Sequence, residues 1–324
     1  MKRISKIALA LILVIAPFVS SLAQESKPKN TTDKVLELKS REICMRQDLT
    51  RGGAIYYISN ADEDRNIVNI YDEGRYIQQS YYAGNSIDRR ADGQCPVWSP
   101  WTWNPIQVGD NAYNRAEILE QWKRGKSTYV KCIPMQWDMN GVPAEAIMEQ
   151  WTTLKGNVIK VRNRLTCKRT DNLYGEGVEC AQEIPAVWLI SALKNLYGYF
   201  GNKPFVNEPA TSTEVKQLII GDPEHFWGRY ENVPEHWMAF VDDAKWGIAV
   251  YSPTAIGFLA GRYESFLEGD EHHVASSYIA PVRMEALMKD SVMEYEYYLV
   301  VGELSQMREK IYQIRRKSVK KSTK

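Results

Sequence analysis

The chain is a succession of short segments rich in β-branched and aromatic residues, separated by turns of Gly, Asn and Asp. Such segments are typical of strands joined by hairpins. No exact internal repeat and no Gly/Ser-rich or Pro-rich linker divides them. We therefore predict an all-β protein with one large antiparallel architecture and one or two short helices. The segments are 52–59, 66–71, 127–134, 147–154, 157–167, 178–183, 215–220, 236–241, 246–251, 274–281 and 293–301.

Three stretches depart from the β pattern. Residues 188–199 carry apolar residues at nearly helical spacing, which predicts a helix or a helix-like turn. Residues 113–124 are expected to hold one or two helical turns, and 307–314 form a final amphipathic stretch. The polar run 242–245 is predicted to be a hairpin turn between two strands.

The first 23 residues have the pattern of a signal peptide. Lys2, Arg3 and Lys6 precede an apolar run at 7–15, and small residues end the segment at Ala23. That run is too short to span a bilayer, and no Cys follows the predicted cleavage site. We therefore predict a secreted or periplasmic protein without a lipid anchor or a membrane span.

The rest of the chain is predicted to form one domain with polar ends. Residues 24–34 are expected to be disordered, 35–314 to form a single β domain, and 315–324 to be a basic disordered tail. Without the signal peptide and the tail, the chain has 32 basic and 40 acidic residues. That negative balance is the wrong sign for a nucleic-acid surface.

Five cysteines follow the predicted signal peptide, and their odd number leaves at least one unpaired. Cys167 and Cys180 flank a polar turn that contains glycine, so we expect a hairpin-closing disulfide between them. No Cys-x-x-Cys motif occurs, and no His or carboxylate pair has the spacing of a metal site. The sequence therefore indicates neither a metal nor a cofactor, although calcium sites leave little spacing signature.

One polar and aromatic stretch, residues 74–105, points to a ligand. Aromatic rings beside guanidinium and amide groups suit a saccharide, whose C–H faces stack on rings and whose hydroxyls form hydrogen bonds. Because side chains alternate along a strand, we expect Arg75, Gln79 and Tyr81 on one face. Gln78 is then on the other face. The predicted sugar contacts are Arg75, Gln78, Gln79, Tyr81, Trp98, Trp101, Trp103 and Asn104.

The three tryptophans of this stretch leave two interpretations open. Trp101 and Trp103 are two residues apart and are expected to share a face, which predicts a stacking platform at the rim of a cleft. Alternatively, they are core aromatics held by the neighbouring prolines.

Several of these segments resemble one protein family. The motif Gly52-Gly53-Ala54-Ile55, the strand 66–69 and the pattern Asp72-x-Gly74-Arg75 with Gln78 resemble the opening of galactose-mutarotase-like proteins. Residues 182–188 resemble their sandwich-crossing segment, and 234–251 resemble a hairpin of their second sheet. The resemblance implies a β-supersandwich, in which two large antiparallel sheets face each other and a sugar cleft lies on the concave side.

The same resemblance sets expectations for activity. Aldose mutarotases use a Glu base and a His acid, and the four histidines of this chain do not match their full active-site set. The fold also occurs in polysaccharide lyases and in non-catalytic sugar-binding domains. The resemblance therefore implies a saccharide ligand and leaves the reaction open.

The acid–base candidates lie in the second half of the chain. Glu235 and His236 can supply base and acid, but neighbouring residues of a strand point to opposite faces, so a structural role for one of them is the alternative. Glu183 is a further candidate, either as a cleft carboxylate or as an acceptor for backbone N–H groups. His225, Trp227 and Arg229 carry groups that a lyase uses, and an ordinary packed loop is the alternative.

These observations lead to one main hypothesis and two alternatives. The main hypothesis is an exported protein that binds an oligo- or polysaccharide in an aromatic cleft, as a glycoside hydrolase or a polysaccharide lyase. The first alternative is a non-catalytic carbohydrate-binding protein of the same fold. The second is a structural or protein-interaction β-protein. The sequence leaves the sugar, the linkage and the oligomeric state open.

Overall fold

We describe the protein from a computed structural model, which describes residues 34–170, 173–175, 177–206, 209–212, 217–218, 228–264 and 267–322. The predicted signal peptide at 1–23 and the segment 24–33 lie outside these residues.

The described residues form 22 strands, named here in chain order. They are β1 (Val35–Lys39), β2 (Ile43–Asp48), β3 (Ala54–Asn60), β4 (Ile77–Ser80), β5 (Ala83–Ile87), β6 (Trp101–Trp103), β7 (Pro105–Ile106), β8 (Glu117–Arg124), β9 (Ser127–Ile133), β10 (Met135–Gln136), β11 (Ala146–Lys155), β12 (Val158–Cys167), β13 (Cys180–Ile190), β14 (Asn195–Gly198), β15 (Thr211–Ser212), β16 (Gln217–Leu218), β17 (Gly228–Glu231), β18 (Trp237–Val241), β19 (Trp246–Tyr251), β20 (Gly257–Tyr263), β21 (Ser276–Glu285) and β22 (Val292–Glu303). Short 3₁₀ helices cover Leu49–Arg51, Arg90–Asp92 and Pro96–Trp98, and one α-helix, α1, spans Leu304–Ser322.

Two large sheets contain most of the described strands. The first sheet has the order β1-β2-β3-β4-β13-β21-β20-β16, with β17 also paired to β20 and β7 paired to both β4 and β10. The second sheet has the order β15-β14-β18-β19-β22-β12-β11-β9-β8, and β5 pairs with β6 in a separate ribbon. Of the described pairs, only β16 with β20 is parallel, so the predicted antiparallel all-β class is confirmed.

The sheets pack face to face around one apolar core. In β12, Val161 and Leu165 are buried while Arg162 and Arg164 point outward, as expected for a strand with one wet face. Each fully buried aliphatic side chain stabilises the fold by about 1.5–3 kcal/mol. The core draws on both sheets and includes Ile77, Val187 and Ile279 from the first and Met148, Leu165 and Leu299 from the second.

Helix α1 covers part of the outer face of the second sheet. Met307 and Ile311 are fully buried there, in a cluster that includes Trp237. The predicted amphipathic stretch 307–314 is therefore part of this helix. The structure describes residues 315–322 as the end of α1 rather than as the disordered tail that the sequence predicted. Arg315 lies over the Phe205 ring, 3.9 Å from Cζ to centroid, which packs the end of α1 against the rest of the domain.

No helix of the described residues has the length and hydropathy of a membrane span.

Three local predictions were wrong. Residues 188–199 form the end of β13, a turn and β14, because Leu189, Leu193 and Leu196 reach the core from two strands and the turn between them. Residues 117–124 form β8, which pairs with β9 in a hairpin. Segment 66–71 is not a regular strand and contributes only a single bridge, between Val68 and Leu189. The hairpin turn at 242–245 is confirmed, since it joins β18 to β19.

The cysteine prediction was also wrong. Cys167 and Cys180 do not form a disulfide, and all five cysteines are free. Cys167 is buried at the end of β12 in the second sheet, whereas Cys180 begins β13 in the first sheet. The segment between them therefore crosses from one sheet to the other instead of closing a hairpin.

Candidate functional site

A cavity of about 390 Å³ opens on the outer face of the first sheet, away from the core. Strands β4, β13, β20 and β21 supply its floor, and the loops around 72–75, 98–104 and 137 supply its walls. Its lining residues are Asp72, Gly74, Arg75, Ser80, Tyr82, Trp98, Trp101, Asn104, Ile106, Trp137, Glu183, Ala186, Trp188, Tyr263 and Tyr278.

A bulge in β13 brings Glu183 into this cavity. The register of β13 against both neighbouring strands shifts between Glu183 and Val187. In a regular strand Glu183 and Trp188, five residues apart, point to opposite faces. The extra residue of a bulge restores them to the same face. Glu183, Ala186 and Trp188 therefore line the cavity, while Ile184 and Val187 point into the core.

Glu183 is a buried carboxyl that lines the cavity. It is only 8% exposed, and burial raises the pKa of its carboxyl to about 7, although hydrogen bonds from Tyr278 and Tyr82 lower it. Burial raises the pKa of both tyrosines well above the ordinary value, so both remain hydroxyl donors at neutral pH. A carboxyl with a pKa near neutrality can both donate and accept a proton.

Arg75 supplies the cation of the cavity. Its Nη1 donates to Ser276 Oγ at 2.7 Å, and its Cζ lies 3.9 Å from the ring centroid of Trp188. The Tyr263 ring covers it at 5.2 Å. Burial lowers the pKa of the Arg75 guanidinium, with Asp72 acting in the opposite direction. The guanidinium is thus held rigidly between aromatic rings.

Three tryptophans form the apolar wall. The rings of Trp98 and Trp101 meet edge to face at 5.1 Å, and those of Trp98 and Trp137 do so at 5.4 Å. Asn104 Oδ1 accepts a hydrogen bond from Trp101 Nε1 at 3.1 Å, while its Nδ2 donates to the Tyr81 carbonyl at 2.7 Å. Asn104 therefore lies at the cavity and holds Trp101 in place. Partly exposed indole rings of this kind offer apolar faces and edges to a ligand.

The structure brings together five of the residues that the sequence singled out. They are Arg75, Trp98, Trp101, Asn104 and Glu183.

Three other predicted contacts, Gln78, Gln79 and Tyr81, are buried away from the cavity. Gln79 and Tyr81 point into the core, where the Tyr81 hydroxyl donates to Gln79 Oε1 at 2.9 Å. Gln78 Nε2 donates to the Arg75 and Glu73 carbonyls, so it braces the loop that carries Arg75. These side chains satisfy buried polar groups and do not reach a ligand in the cavity.

Arg75 lies on the face opposite to the one predicted. The expected alternation with Gln79 and Tyr81 fails because Tyr76 has a left-handed backbone, with φ of 73°. That residue reverses the alternation just before β4 begins at Ile77. Arg75 therefore lines the outer cavity while Gln79 and Tyr81 face the core.

Trp103 does not share a platform with Trp101. It is buried in the core, and the Arg169 guanidinium lies 5.4 Å from its ring centroid. The interpretation as a core aromatic therefore holds for Trp103, whereas Trp98 and Trp101 line the cavity.

Glu235 lies in a buried network outside the cavity. Its carboxylate accepts hydrogen bonds from Arg308 Nη2 at 2.8 Å, from Trp237 Nε1 at 2.8 Å and from the Tyr312 hydroxyl at 2.6 Å. Burial by itself raises the pKa of Glu235, but these hydrogen bonds hold it below the ordinary value. Glu235 therefore holds helix α1 in place and does not line the cavity.

Two further candidates, His236 and Arg229, do not line the cavity either. His236 has a left-handed backbone, with φ of 54°, and its Nδ1 lies 2.9 Å from the Ala255 carbonyl oxygen. Arg229 is exposed on β17 at the edge of the first sheet. His225 and Trp227 lie outside the described residues.

Five aromatic residues of the cavity were absent from the predicted contacts: Tyr82, Trp137, Trp188, Tyr263 and Tyr278. Tyr82 and Trp188 lie within the stretches 74–105 and 182–188 that the sequence singled out, and Tyr82 is two residues beyond Ser80, the last residue of β4. Trp137, Tyr263 and Tyr278 come from distant segments that only the sheet order brings together.

Among the described residues, no group of three or more His, Cys, Asp or Glu side chains is arranged to hold a metal ion. The polar groups of the cavity are one guanidinium, two carboxyls and several hydroxyls and indole N–H groups.

Comparison with known proteins identifies the fold. No protein-family model and no curated protein matches the chain. Among solved structures, a galactose mutarotase related enzyme from Lactobacillus acidophilus is similar over 82% of this chain and 97% of its own, with a TM-score of 0.50 and 9% sequence identity. A galactose mutarotase-like protein from Lactobacillus casei covers 82% of this chain and 99% of its own, with a TM-score of 0.46 and 9% identity. The first of these likenesses, together with the two facing antiparallel sheets, shows that this chain has the galactose-mutarotase-like β-supersandwich fold.

Proposed function

We propose that the protein is a carbohydrate-active enzyme that holds a saccharide in the cavity and uses Glu183 as its acid–base group. One observation carries the proposal: a buried carboxyl with a pKa of about 7 lines the same cavity as four tryptophans. Sugar rings stack on indole, and Tyr82 and Tyr278 keep the carboxyl oriented. The L. acidophilus neighbour is described as a galactose mutarotase related enzyme, which agrees with a sugar ligand.

Two reaction classes fit this arrangement. In hydrolysis, Glu183 protonates the leaving glycosidic oxygen, and Asp72, the second carboxylate of the cavity, accepts a proton from the water that attacks the anomeric carbon. In β-elimination, Glu183 accepts the C5 proton of a uronic acid unit while Arg75 stabilises the developing negative charge. The C4–C5 double bond then forms as the bond from C4 to the glycosidic oxygen breaks, and Glu183 returns the proton to that leaving oxygen.

Binding without turnover is a second candidate, and one observation favours it. Asp72 is already engaged, because its Oδ1 accepts the Gly74 N–H at 2.9 Å and its Oδ2 lies 3.7 Å from Arg75 Nε. Of the described residues, no histidine lines the cavity. A site with one available carboxyl and an aromatic wall is sufficient for recognition alone.

The test is incubation with a panel of polysaccharides, with reducing ends and the absorbance of unsaturated uronates as readouts. New reducing ends without unsaturated product indicate hydrolysis, and both signals together indicate elimination. Retained binding without either signal establishes the second candidate. A protein that neither binds nor cleaves any saccharide of the panel overturns the proposal.

A matched pair of variants tests whether turnover depends on Glu183. Glu183→Gln keeps the shape of the side chain and removes the proton donor, so we expect a loss of turnover of about 100-fold or more. Glu117→Gln makes the same chemical change at an exposed position of β8 in the other sheet and serves as the control. Equal turnover in both variants contradicts the assignment of Glu183.

We also propose that the chain is exported, because residues 1–23 have the pattern of a signal peptide. Expression of the full chain in a bacterium with a two-membrane envelope tests this. The mature protein is expected in the periplasm or the medium with an N-terminus near Gln24, and an uncut chain in the cytoplasm contradicts the proposal.

A further inference from the structure

Arg75 is a buried cation with incomplete charge compensation. The residue is 6% exposed, yet the nearest carboxylate oxygen in its ion pair, Asp72 Oδ2, lies 3.7 Å from its Nε. That distance is longer than an ordinary hydrogen bond. The side chain of Asp72 is 33% exposed, so water screens its charge. A buried charge is costly unless it is both paired and hydrogen-bonded.

The free N–H groups of Arg75 face the cavity. A guanidinium has five N–H donors in one plane. The rings of Trp188 and Tyr263 cover this group, and Nη1 donates to Ser276 Oγ. No Arg75 nitrogen is among the buried atoms that lack a hydrogen-bond partner. The N–H groups that remain are therefore reachable from the cavity that Arg75 lines.

We propose that the cavity takes an acidic saccharide and that Arg75 binds the carboxylate of one of its uronic acid units. This inference rests on the proposed function and names the substrate class of the same site. A carboxylate accepts two parallel N–H groups from a guanidinium, a geometry that lysine does not offer. Stacking on Trp188 fixes the plane of the Arg75 guanidinium before a ligand binds, so little side-chain entropy is lost on binding.

The cavity has two acidic side chains, Asp72 and Glu183. Neither prevents an anionic ligand from binding to Arg75. Asp72 is already held by the Gly74 N–H and the Nε side of Arg75, which leaves the far edge of the guanidinium for the ligand. Glu183 has a pKa of about 7 and is largely uncharged below that pH. Binding of an acidic saccharide should therefore be stronger at pH 6 than at pH 8, where Glu183 is ionised.

The test compares each acid with its own neutral ester. The probes are trimers of galacturonic acid and of mannuronic acid, their methyl esters, and the neutral trimers of galactose and mannose. Dissociation constants are measured by calorimetry at pH 6 with low salt. We expect at least one free acid to bind about 10-fold or more tightly than its ester, the effect of a charge-assisted hydrogen bond. We also expect this preference to shrink at pH 8.

The outcomes separate the two proposals. If neutral sugars or esters bind as tightly as the acids, the acidic substrate class is overturned and the proposed function stands. If none of the probes and none of the polysaccharides of the wider panel binds, the proposed function is overturned as well.

Two arginine variants test whether Arg75 causes the preference for the acid over its ester. Arg75→Gln is expected to abolish the preference for acid over ester. Arg162→Gln is the matched control, because Arg162 lies over Trp151 at the same 3.9 Å but on the outer face of the other sheet. If Arg75→Gln does not fold, the comparison of acid and ester on the unaltered protein still decides the matter. A preference for the acid that survives in a folded Arg75→Gln variant overturns the assignment of Arg75.

Discussion

The guanidinium of Arg75 stacks on the indole of Trp188, with 3.9 Å between Cζ and the ring centroid. Trp188 in turn packs against Tyr278, with ring centroids 4.6 Å apart, and Tyr278 donates a hydrogen bond to Glu183. A continuous series of contacts therefore joins the cation of the cavity, Arg75, to its buried carboxyl, Glu183. A change at one residue of the series is expected to affect the others.

Replacing Trp188 tests the aromatic support of Arg75. In Trp188→Leu, Arg75 loses one of its aromatic partners, so we expect affinity for a bound saccharide to fall about 10-fold. Calorimetric titration measures this. Trp122→Leu is the control, because Trp122 stacks on Tyr129 at 5.5 Å on the outer face of the second sheet. Unchanged affinity in Trp188→Leu contradicts a role for this support in binding.

The raised pKa of Glu183 predicts how stability depends on pH. Between the ordinary value of 4.5 and about 7, the folded state holds a proton that the unfolded chain has lost. Stability therefore falls as pH rises through this window, by about 3 kcal/mol at most for a shift of this size. Glu183→Gln stays neutral and should not show that loss.

Urea unfolding at pH 4.5 and pH 8 measures the difference. We expect Glu183→Gln to gain stability relative to the unaltered protein as pH rises, while Glu117→Gln should follow the unaltered protein at both pH values. A constant difference between Glu183→Gln and the unaltered protein contradicts the raised pKa.

Burial raises the pKa of Glu183, and hydrogen bonds from two tyrosine hydroxyls limit that rise. Because Tyr278 donates to the carboxylate and lowers its pKa, Tyr278→Phe should raise that pKa further. The pH profile of kcat/KM should then shift to higher pH. Tyr129→Phe is the control, since it removes a comparable Tyr–Glu hydrogen bond, 2.7 Å to Glu149, in the other sheet. An unshifted profile in Tyr278→Phe shows that Glu183 is not the titrating group.

Replacing Glu235 is expected to lower the stability of the protein without changing its saccharide affinity. In Glu235→Ala, the buried guanidinium of Arg308 loses its partner carboxylate, so we expect the free energy of unfolding to fall by about 3–5 kcal/mol. Saccharide affinity of the folded protein should not change, because Glu235 lies outside the cavity. Thermal unfolding and calorimetry measure the two effects. A loss of affinity without a loss of stability would return Glu235 to the candidate acid–base groups.

Local patterns predicted most of the strands of seven or more residues correctly. Alternating apolar residues identified β11, β12 and β22, and the polar residues at 242–245 identified the hairpin between β18 and β19. These features depend on neighbours in sequence, which is why the sequence sufficed. The same local logic misassigned 188–199, because a tight turn between two strands can place leucines at nearly helical intervals.

The sequence by itself determined the all-β class and several residues of the cavity lining, since tryptophans, Arg75, Asn104 and Glu183 already indicated a polar and aromatic site. Only the tertiary structure decided which of them meet. The bulge between Glu183 and Val187 and the left-handed residue Tyr76 each shift the alternation by one residue. A shift of one residue exchanges core and solvent faces, because side chains in a strand repeat every two residues. Glu183 and Arg75 thereby reach the cavity, while Gln79 and Tyr81 remain in the core.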